Sequence, residues 1–317
     1  MLANQSPFRS KYLLEIFGLL ILAVFIFSEP NLCGDPGVGW HLRTGELIAQ
    51  SISIPRVDSF LLESGKSWIS NQWLADLFLW VVFSSGRFVA LTACVWLLPF
   101  LSFFYLLKCE SRRLEVAPLV SVFAFILLLG AAYLQWFVRP VIFSFALLCL
   151  LSLMISRLRA REISISNLAS FALLFIIWAN LHPAFVIGLF LLTTFAVENL
   201  IQTKGRSWLR ALLLVLVSLF ATLVTPYGLD LWRNTFQLVG SEFFMRLNLE
   251  WRSPNFHDAT FKPFLLSLLV LLFGIGFFPS RISLRELFNT IVLTAAALTS
   301  VRYIPFFAVV ATPVMLG

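Results

Sequence analysis

Long apolar runs separated by short polar connections fill almost the whole chain. The runs cover 12–28, 88–107, 116–136, 141–156, 168–182, 183–200, 211–226, 264–278, 288–301 and 303–316. A helix needs roughly 20 apolar residues to cross a bilayer, with a range of about 17 to 25. Lipid offers the backbone no hydrogen-bond partners, so each run must satisfy its own polar groups by becoming a helix. The pattern predicts an all-α fold: a polytopic transmembrane bundle of about ten spans, some completed by loop residues. A further stretch, 73–84, is only a dozen residues long. It fits either a short span or a helix lying against the interface.

No internal repeat, low-complexity tract or flexible linker interrupts the pattern, so residues 1–317 read as a single integral membrane domain. The first run follows Arg9 and Lys11, as a signal peptide would. It ends in Ser-Glu-Pro without an A-x-A site, which favours a retained first span. The last run is still open at Gly317, as expected of a truncated end.

Composition strengthens the membrane reading. Apolar residues make up 60% of the chain and charged residues 12%, against roughly 45–50% and about 25% in soluble domains. The 34 Phe and 10 Trp suit lipid-facing surfaces and interfacial belts. The net charge of +7 comes from basic residues in short loops. That is the positive-inside pattern, so nucleic acid is not the expected partner. Cys33, Cys94, Cys109 and Cys149 form no CxxC pair or zinc spacing, and read as small buried hydrophobes.

The basic loops also predict sidedness. Arg9 and Lys11, then Lys108 with Arg112 and Arg113, then Arg157, Arg159 and Arg161, then Lys204, Arg206 and Arg210, and finally Arg281 and Arg285 can all be cytoplasmic together. This holds if 73–84 does not cross independently of 88–107. Two long segments, 29–72 and 227–263, then fall on the other side. The turns near 137–140, 180–183 and 302 join them. These places hold every histidine, a distribution expected at the mouth of a site.

The candidate chemistry lies in those segments. Asp35 stands in Gly34-Asp35-Pro36-Gly37 and reads either as a general base or as a turn residue before a short helix at 40–50. Asp58, in Pro55-Arg56-Val57-Asp58, reads as a cap or turn. Arg139-Pro140 and Arg302 place guanidinium groups at the ends of apolar runs. Each could hold a phosphate or simply reach the interface. His182, in Trp178-Ala179-Asn180-Leu181-His182-Pro183, reads as a proton donor, an orienting group or a satisfied turn residue. Glu250 and His257 bring an acid and an imidazole to one loop at no known metal spacing. P-loop, GxGxxG, HExxH and GxSxG motifs are missing, which argues against the corresponding enzyme classes.

In order along the chain, a series of short stretches resembles a large bacterial family of polytopic membrane proteins. They are Asp35-Pro36 with Trp40-His41-Leu42 and Thr44-Gly45, Ile54-Pro55 with Asp58, Trp73-Leu74, Arg139-Pro140 with Phe143-Ser144, Trp178-Ala179-Asn180 with His182, Pro226-Tyr227-Gly228, Glu250-Trp251 with Ser253-Pro254 and Phe256-His257, and Ser300-Val301-Arg302. That family is similar to the C-type glycosyltransferases, which use polyprenyl-phosphate sugars.

The resemblance implies a C-type fold whose extracytoplasmic first loop carries short interfacial helices. It implies transfer of a sugar from a polyprenyl-phosphate donor to an acceptor on the extracytoplasmic face. Asp35 would be the base. Arg139 and Arg302 would bind the donor phosphate. His41, Asp58, His182, Glu250 and His257 would line the acceptor side. It also implies a bacterial inner (plasma) membrane with the N-terminus cytoplasmic.

Family members often carry a second acid where this chain has Gly37, and His-Glu where it has Asn71-Gln72. A divalent cation would lack the paired carboxylates that hard ions favour, so no metal or other cofactor is expected. Two other readings stay open at this level: a non-catalytic or degenerate relative, and a transporter or flippase. Oligomeric state, sugar and acceptor leave no trace in the sequence.

Overall fold

The computed structural model describes residues 12–27, 35–58, 60, 67–158, 163–202, 207–240, 248–277 and 282–317. Cys33, Arg9, Lys11, Arg159, Arg161, Lys204, Arg206 and Arg281 lie outside the described residues.

Among the described residues the chain is helical. The helices are α1 (Leu13–Phe27), α2 (Gly37–Ser51), α3 (Trp73–Arg113), α4 (Pro118–Ala132), α5 (Val141–Arg157), α6 (Ile165–Leu181), α7 (Phe185–Gln202), α8 (Ser207–Ala221), α9 (Leu229–Val239), α10 (Lys262–Phe277), α11 (Leu284–Thr299) and α12 (Ile304–Leu316). Every one of the ten apolar runs is occupied by a helix. Extended structure among the described residues is limited to one isolated bridge, Val57 with Ser67.

Four helical stretches among the described residues are long and apolar enough to cross a membrane: Trp73–Arg113, Pro118–Gln135, Phe185–Gln202 and Ala259–Gly276. Shorter apolar helices occupy Leu13–Val24, Val141–Arg157, Ile165–Leu181, Ser207–Ala221 and Val301–Leu316. The fold is compatible with a membrane protein.

Helix α3 is continuous by hydrogen bonding but broken in conformation. Gly86 (φ −156°) and Arg87 (φ +55°) leave helical angles, which separates 73–85 from 88–113. Arg87 is held in left-handed backbone while its guanidinium lies over the Phe83 ring, 5.1 Å from the centroid. The break falls where the polar Ser84-Ser85-Gly86-Arg87 sequence divides two apolar runs.

The chain divides into two compact units. The first comprises Met1–Asn31, Phe100–Gln135 and Ser253–Gly317. Helix α12 is its core. It is apolar on all sides and buried along nearly its whole length, as a helix without a polar face must be. Helix α4 packs against α12, α10 and α1. Phe100, Phe103 and Phe104 close around Phe125, with ring centroids 5.6–6.0 Å from it. The charged ends are paired within the unit. Lys108 Nζ meets Glu15 at 2.9 Å, and Arg113 bridges Glu110 and Glu286. Ser283 and Glu286 form a capping box that starts α11.

The second unit comprises Leu32–Pro99 and Trp136–Arg252. Helices α5, α6, α7 and α8 pack on one another in it. Gly188 on α7 lets the Trp178 ring approach so closely that a methyl there would sit 2.6 Å from it. Helix α2 meets the start of α3 with less room still. A methyl on Gly45 would lie 2.1 Å from the Asp76 carbonyl oxygen and 2.7 Å from Trp80 Cβ. His41 and Gly45 are four residues apart and share a helix face, as do Asp76 and Trp80. The glycine therefore sets how near His41 comes to Asp76.

Candidate functional site

All residues of the site belong to the second unit. Helix α2 begins in a turn made by Asp35. Its Oδ1 accepts the Gly37 N–H at 2.7 Å, and its carbonyl accepts the Val38 N–H at 3.1 Å. Asp side chains favour this local bond to backbone two residues on. The other oxygen, Oδ2, meets Arg139.

Arg139 directly precedes Pro140, where α5 starts. One guanidinium nitrogen pairs with Asp35 and the other with Glu250 Oε1. Glu250 sits in a single 3-10 turn, Leu249–Trp251, begun by Asn248, whose side chain accepts the Glu250 N–H at 3.0 Å. The planar two-armed guanidinium suits this bridging, which a lysine ammonium could not reproduce. Two carboxylates and one guanidinium leave one net negative charge. The Asp35 side chain is 5% exposed and the Arg139 side chain 28%, so the cluster is sheltered with its cation still reachable.

Beside this triad lies a second pair of ionisable side chains. His41 Nδ1 is 2.8 Å from Asp76 Oδ1, and both residues are buried. With the Asp76 carboxylate ionised this contact puts a proton on Nδ1, and in the neutral imidazole Nε2 is then the bare nitrogen. Nε2 faces the Asp35 turn. A methyl on Gly37 would stand 3.8 Å from His41 Nε2 and 2.8 Å from Asp35 Oδ1. Sequence reasoning passes over Asp76. The signal was available: a carboxylate within an apolar run is costly and marks a functional candidate by default.

His182 enters a different network. Trp178 Nε1 donates to Ser144 Oγ at 2.7 Å, and that hydroxyl lies 2.9 Å from His182 Nδ1. The Ala184 N–H also points at Nδ1, at 3.2 Å. With Nδ1 accepting, the imidazole is neutral and ties the α6–α7 turn to α5. Asn180 links three segments. Its Oδ1 accepts from Trp73 Nε1 at 2.8 Å, and its amide donates to the carbonyls of Ile176 and Val224 at 2.8 and 2.9 Å. Asn180→Ala leaves the half-buried Trp73 indole N–H and the Val224 carbonyl without this partner, at about 1 kcal/mol or more per orphaned group. A thermal-unfolding series on the purified protein is expected to show that loss. Asn180→Gln should not restore it, since the longer side chain displaces both ends of the bridge.

Tyr227 connects the two long polar segments. Its hydroxyl receives the Ser70 N–H at 3.1 Å and donates to the Pro55 carbonyl at 3.3 Å. Burial pushes the Tyr227 phenol up, an effect that the Ser70 N–H and the nearby Arg56 charge only partly offset. Asn71 and Asn234 are bonded at 3.0 Å. Close by, Ile48, Ile52, Ile54, Trp73, Leu77 and Pro226 line an apolar groove of about 570 Å³, with Arg56 also at its wall. Trp40, Phe60 and Trp68 form an aromatic cluster with centroids 5.3–6.1 Å apart.

The structure thus joins Asp35, Arg139 and Glu250 and sets His41 beside them. Asp58 lies in the same unit, where its carboxylate accepts the Phe60 N–H at 2.8 Å. His257 and Arg302 belong to the first unit. There His257 is exposed, and Arg302 lies in the 3-10 turn Val301–Tyr303 that leads into α12. Among the described residues no group of three or more His, Cys, Asp or Glu side chains is arranged to hold a metal ion. No protein-family model, no curated protein and no solved structure matches the chain.

Proposed function

We propose that this chain is a membrane glycosyltransferase of the C type, moving a sugar from a polyprenyl-phosphate donor to an acceptor hydroxyl on the extracytoplasmic face of the bacterial inner membrane. The observation that carries the reading is the bridge from Arg139 to both Asp35 and Glu250. Arg139 already prefers paired oxyanions, and a phosphate offers the same geometry with more charge. A donor phosphate that takes up the guanidinium displaces a carboxylate from it. Asp35 Oδ2 is then free to hold the acceptor hydroxyl, so donor binding readies the acceptor side. The positive charge remaining at Arg139 stabilises the departing lipid phosphate. The apolar groove beside Arg56 suits part of a long hydrocarbon chain.

Common sidedness of the segments 29–72 and 227–263 is part of this proposal. The bonds of Ser70 with Tyr227, Arg56 with Pro226, and Asn71 with Asn234 support it, because residues that touch must share a side. Ten membrane crossings with a cytoplasmic N-terminus satisfy the basic loops at the same time.

The test is transfer from a panel of labelled polyprenyl-phosphate sugars by the full chain in lipid nanodiscs. Wild-type protein is expected to transfer label, and Asp35→Asn to lose at least about 100-fold, the scale expected when a reacting hydroxyl loses the group that orients it. Asp35→Asn transferring at the wild-type rate would remove Asp35 from the reaction. In whole cells, single cysteines placed at Ser53 and Arg252 in a cysteine-free background are expected to react with impermeant maleimide from the same, outer side.

A further inference from the structure

We propose that His41, held by Asp76, is the base that takes the acceptor's proton. The proposal rests on the glycosyl-transfer reading and assigns within it a role that the Asp35–Arg139–Glu250 triad leaves open. Asp35 engages one oxygen with the Gly37 N–H, and the other, released from Arg139 when the donor binds, accepts the acceptor O–H. It holds and orients a hydroxyl better than it removes its proton. His41 has the complementary arrangement. Asp76 holds Nδ1, so in the neutral imidazole the other nitrogen carries the lone pair, and that nitrogen faces the same small space as Asp35 Oδ1.

Three structural facts converge on this role. Asp76 is 1% exposed and lies in the first turn of α3, within the otherwise apolar stretch 73–83, a costly position for a carboxylate. Its carboxylate meets His41 Nδ1 at 2.8 Å, and the two are brought together by the close contact of α2 and α3 at Gly45. Gly37 keeps clear the space between Asp35 Oδ1 and His41 Nε2, where any larger residue would intrude. An Asp–His pair of this kind sets the imidazole tautomer and stabilises the imidazolium that forms on proton uptake.

The step balances without a further reagent. The acceptor O–H bond breaks and its proton passes to His41 Nε2. The acceptor oxygen forms a bond to the anomeric carbon, and the bond from that carbon to the lipid-phosphate oxygen breaks. Its electron pair leaves with the phosphate, whose charge Arg139 meets. The imidazolium, paired with Asp76, later gives its proton to water. His41 is the catalytic residue here and Asp76 a positioning residue.

Two measurements on the full chain in nanodiscs test the proposal. Nitrogen-15 NMR of the labelled histidines is expected to give His41 as the Nδ1–H tautomer with a bare Nε2, changing towards Nε2–H in Asp76→Asn. In the transfer assay, His41→Gln is expected to lose at least about 100-fold in kcat with the donor KM within about twofold of wild type. Asp76→Asn should show the same split with a smaller loss. Added imidazole should restore part of the rate to His41→Ala and none to Asp35→Asn. Gly37→Ala, whose methyl would stand 2.8 Å from Asp35 Oδ1 and 3.8 Å from His41 Nε2, should lower kcat by filling the space between them.

A wild-type Nε2–H tautomer, or His41→Gln transferring at the wild-type rate, overturns the assignment. If His41→Gln does not fold, Gly37→Ala at full rate overturns it instead. A wild-type chain that transfers none of the labelled sugars, with the Nδ1–H tautomer intact, sinks the glycosyl-transfer reading itself and the base role with it.

Discussion

Arg139→Ala is expected to destabilise the protein by about 3 kcal/mol and to abolish any reaction at the site. The substitution leaves the carboxylates of Asp35 and Glu250, 5% and 17% exposed, without the cation between them. Removing one partner of a buried ion pair costs about 3–5 kcal/mol, because the other charge stays behind uncompensated. The lower figure applies here, since the Arg139 side chain keeps 28% of its surface. Removing all three charges together, as Arg139→Met with Asp35→Asn and Glu250→Gln, should recover much of the stability and none of the function. Arg139→Lys should fall between the wild type and alanine, because one ammonium cannot face two carboxylates in the same planar fork. Chemical or thermal unfolding of the four proteins in one detergent decides the matter. A single alanine variant as stable as the wild type would mean that the bridge contributes nothing to folding.

Gly45→Ala is the second large effect, and it tests the fold and the site together. An added methyl would stand 2.1 Å from the Asp76 carbonyl oxygen and 2.7 Å from Trp80 Cβ. Both are inside van der Waals contact, and the nearer atom is backbone, which cannot rotate away. Alanine's better helix propensity, worth about 1 kcal/mol, is too small to offset such a clash. Relief requires α2 and α3 to separate, at about 1–3 kcal/mol or more. The same separation stretches the 2.8 Å contact between Asp76 and His41, which lies one turn before Gly45 on α2. The expected result is a lower melting temperature together with a changed His41 tautomer, although neither His41 nor Asp76 is altered. Gly39, with nothing within 4 Å of an added methyl, is the control. Gly39→Ala should melt at or slightly above the wild-type temperature.

Helix α2 shows how far a linear reading reaches. The glycine-proline turn and the following residues announce a short helix after Asp35, and the structure starts it at Gly37. The role of Asp35 as a turn residue is also local, since its side chain bonds to backbone two positions on. What lies on the far side of the carboxylate is not local. Arg139 and Glu250 are 111 residues apart in sequence, and no pattern in either stretch points to the other. Asp76 illustrates a different gap. It sits in a run whose apolar neighbours dominate the reading, and its meaning depends on a histidine 35 residues earlier. Asn180 and Ser144 likewise look like ordinary polar residues until Trp73, Val224, Trp178 and His182 are placed around them.

The sequence by itself determined where the apolar helices lie, because an apolar run that must satisfy its own backbone has one solution and needs no knowledge of its neighbours, whereas α9 (Leu229–Val239), inside a polar segment, was not legible in it. It also located the polar connections that supply the candidate chemistry. Tertiary structure alone decided which of those groups meet. Helix-on-helix approach depends on the shape of facing surfaces, such as the glycine of α2 against the backbone of α3, and a periodic pattern in one helix says nothing about the surface it will face.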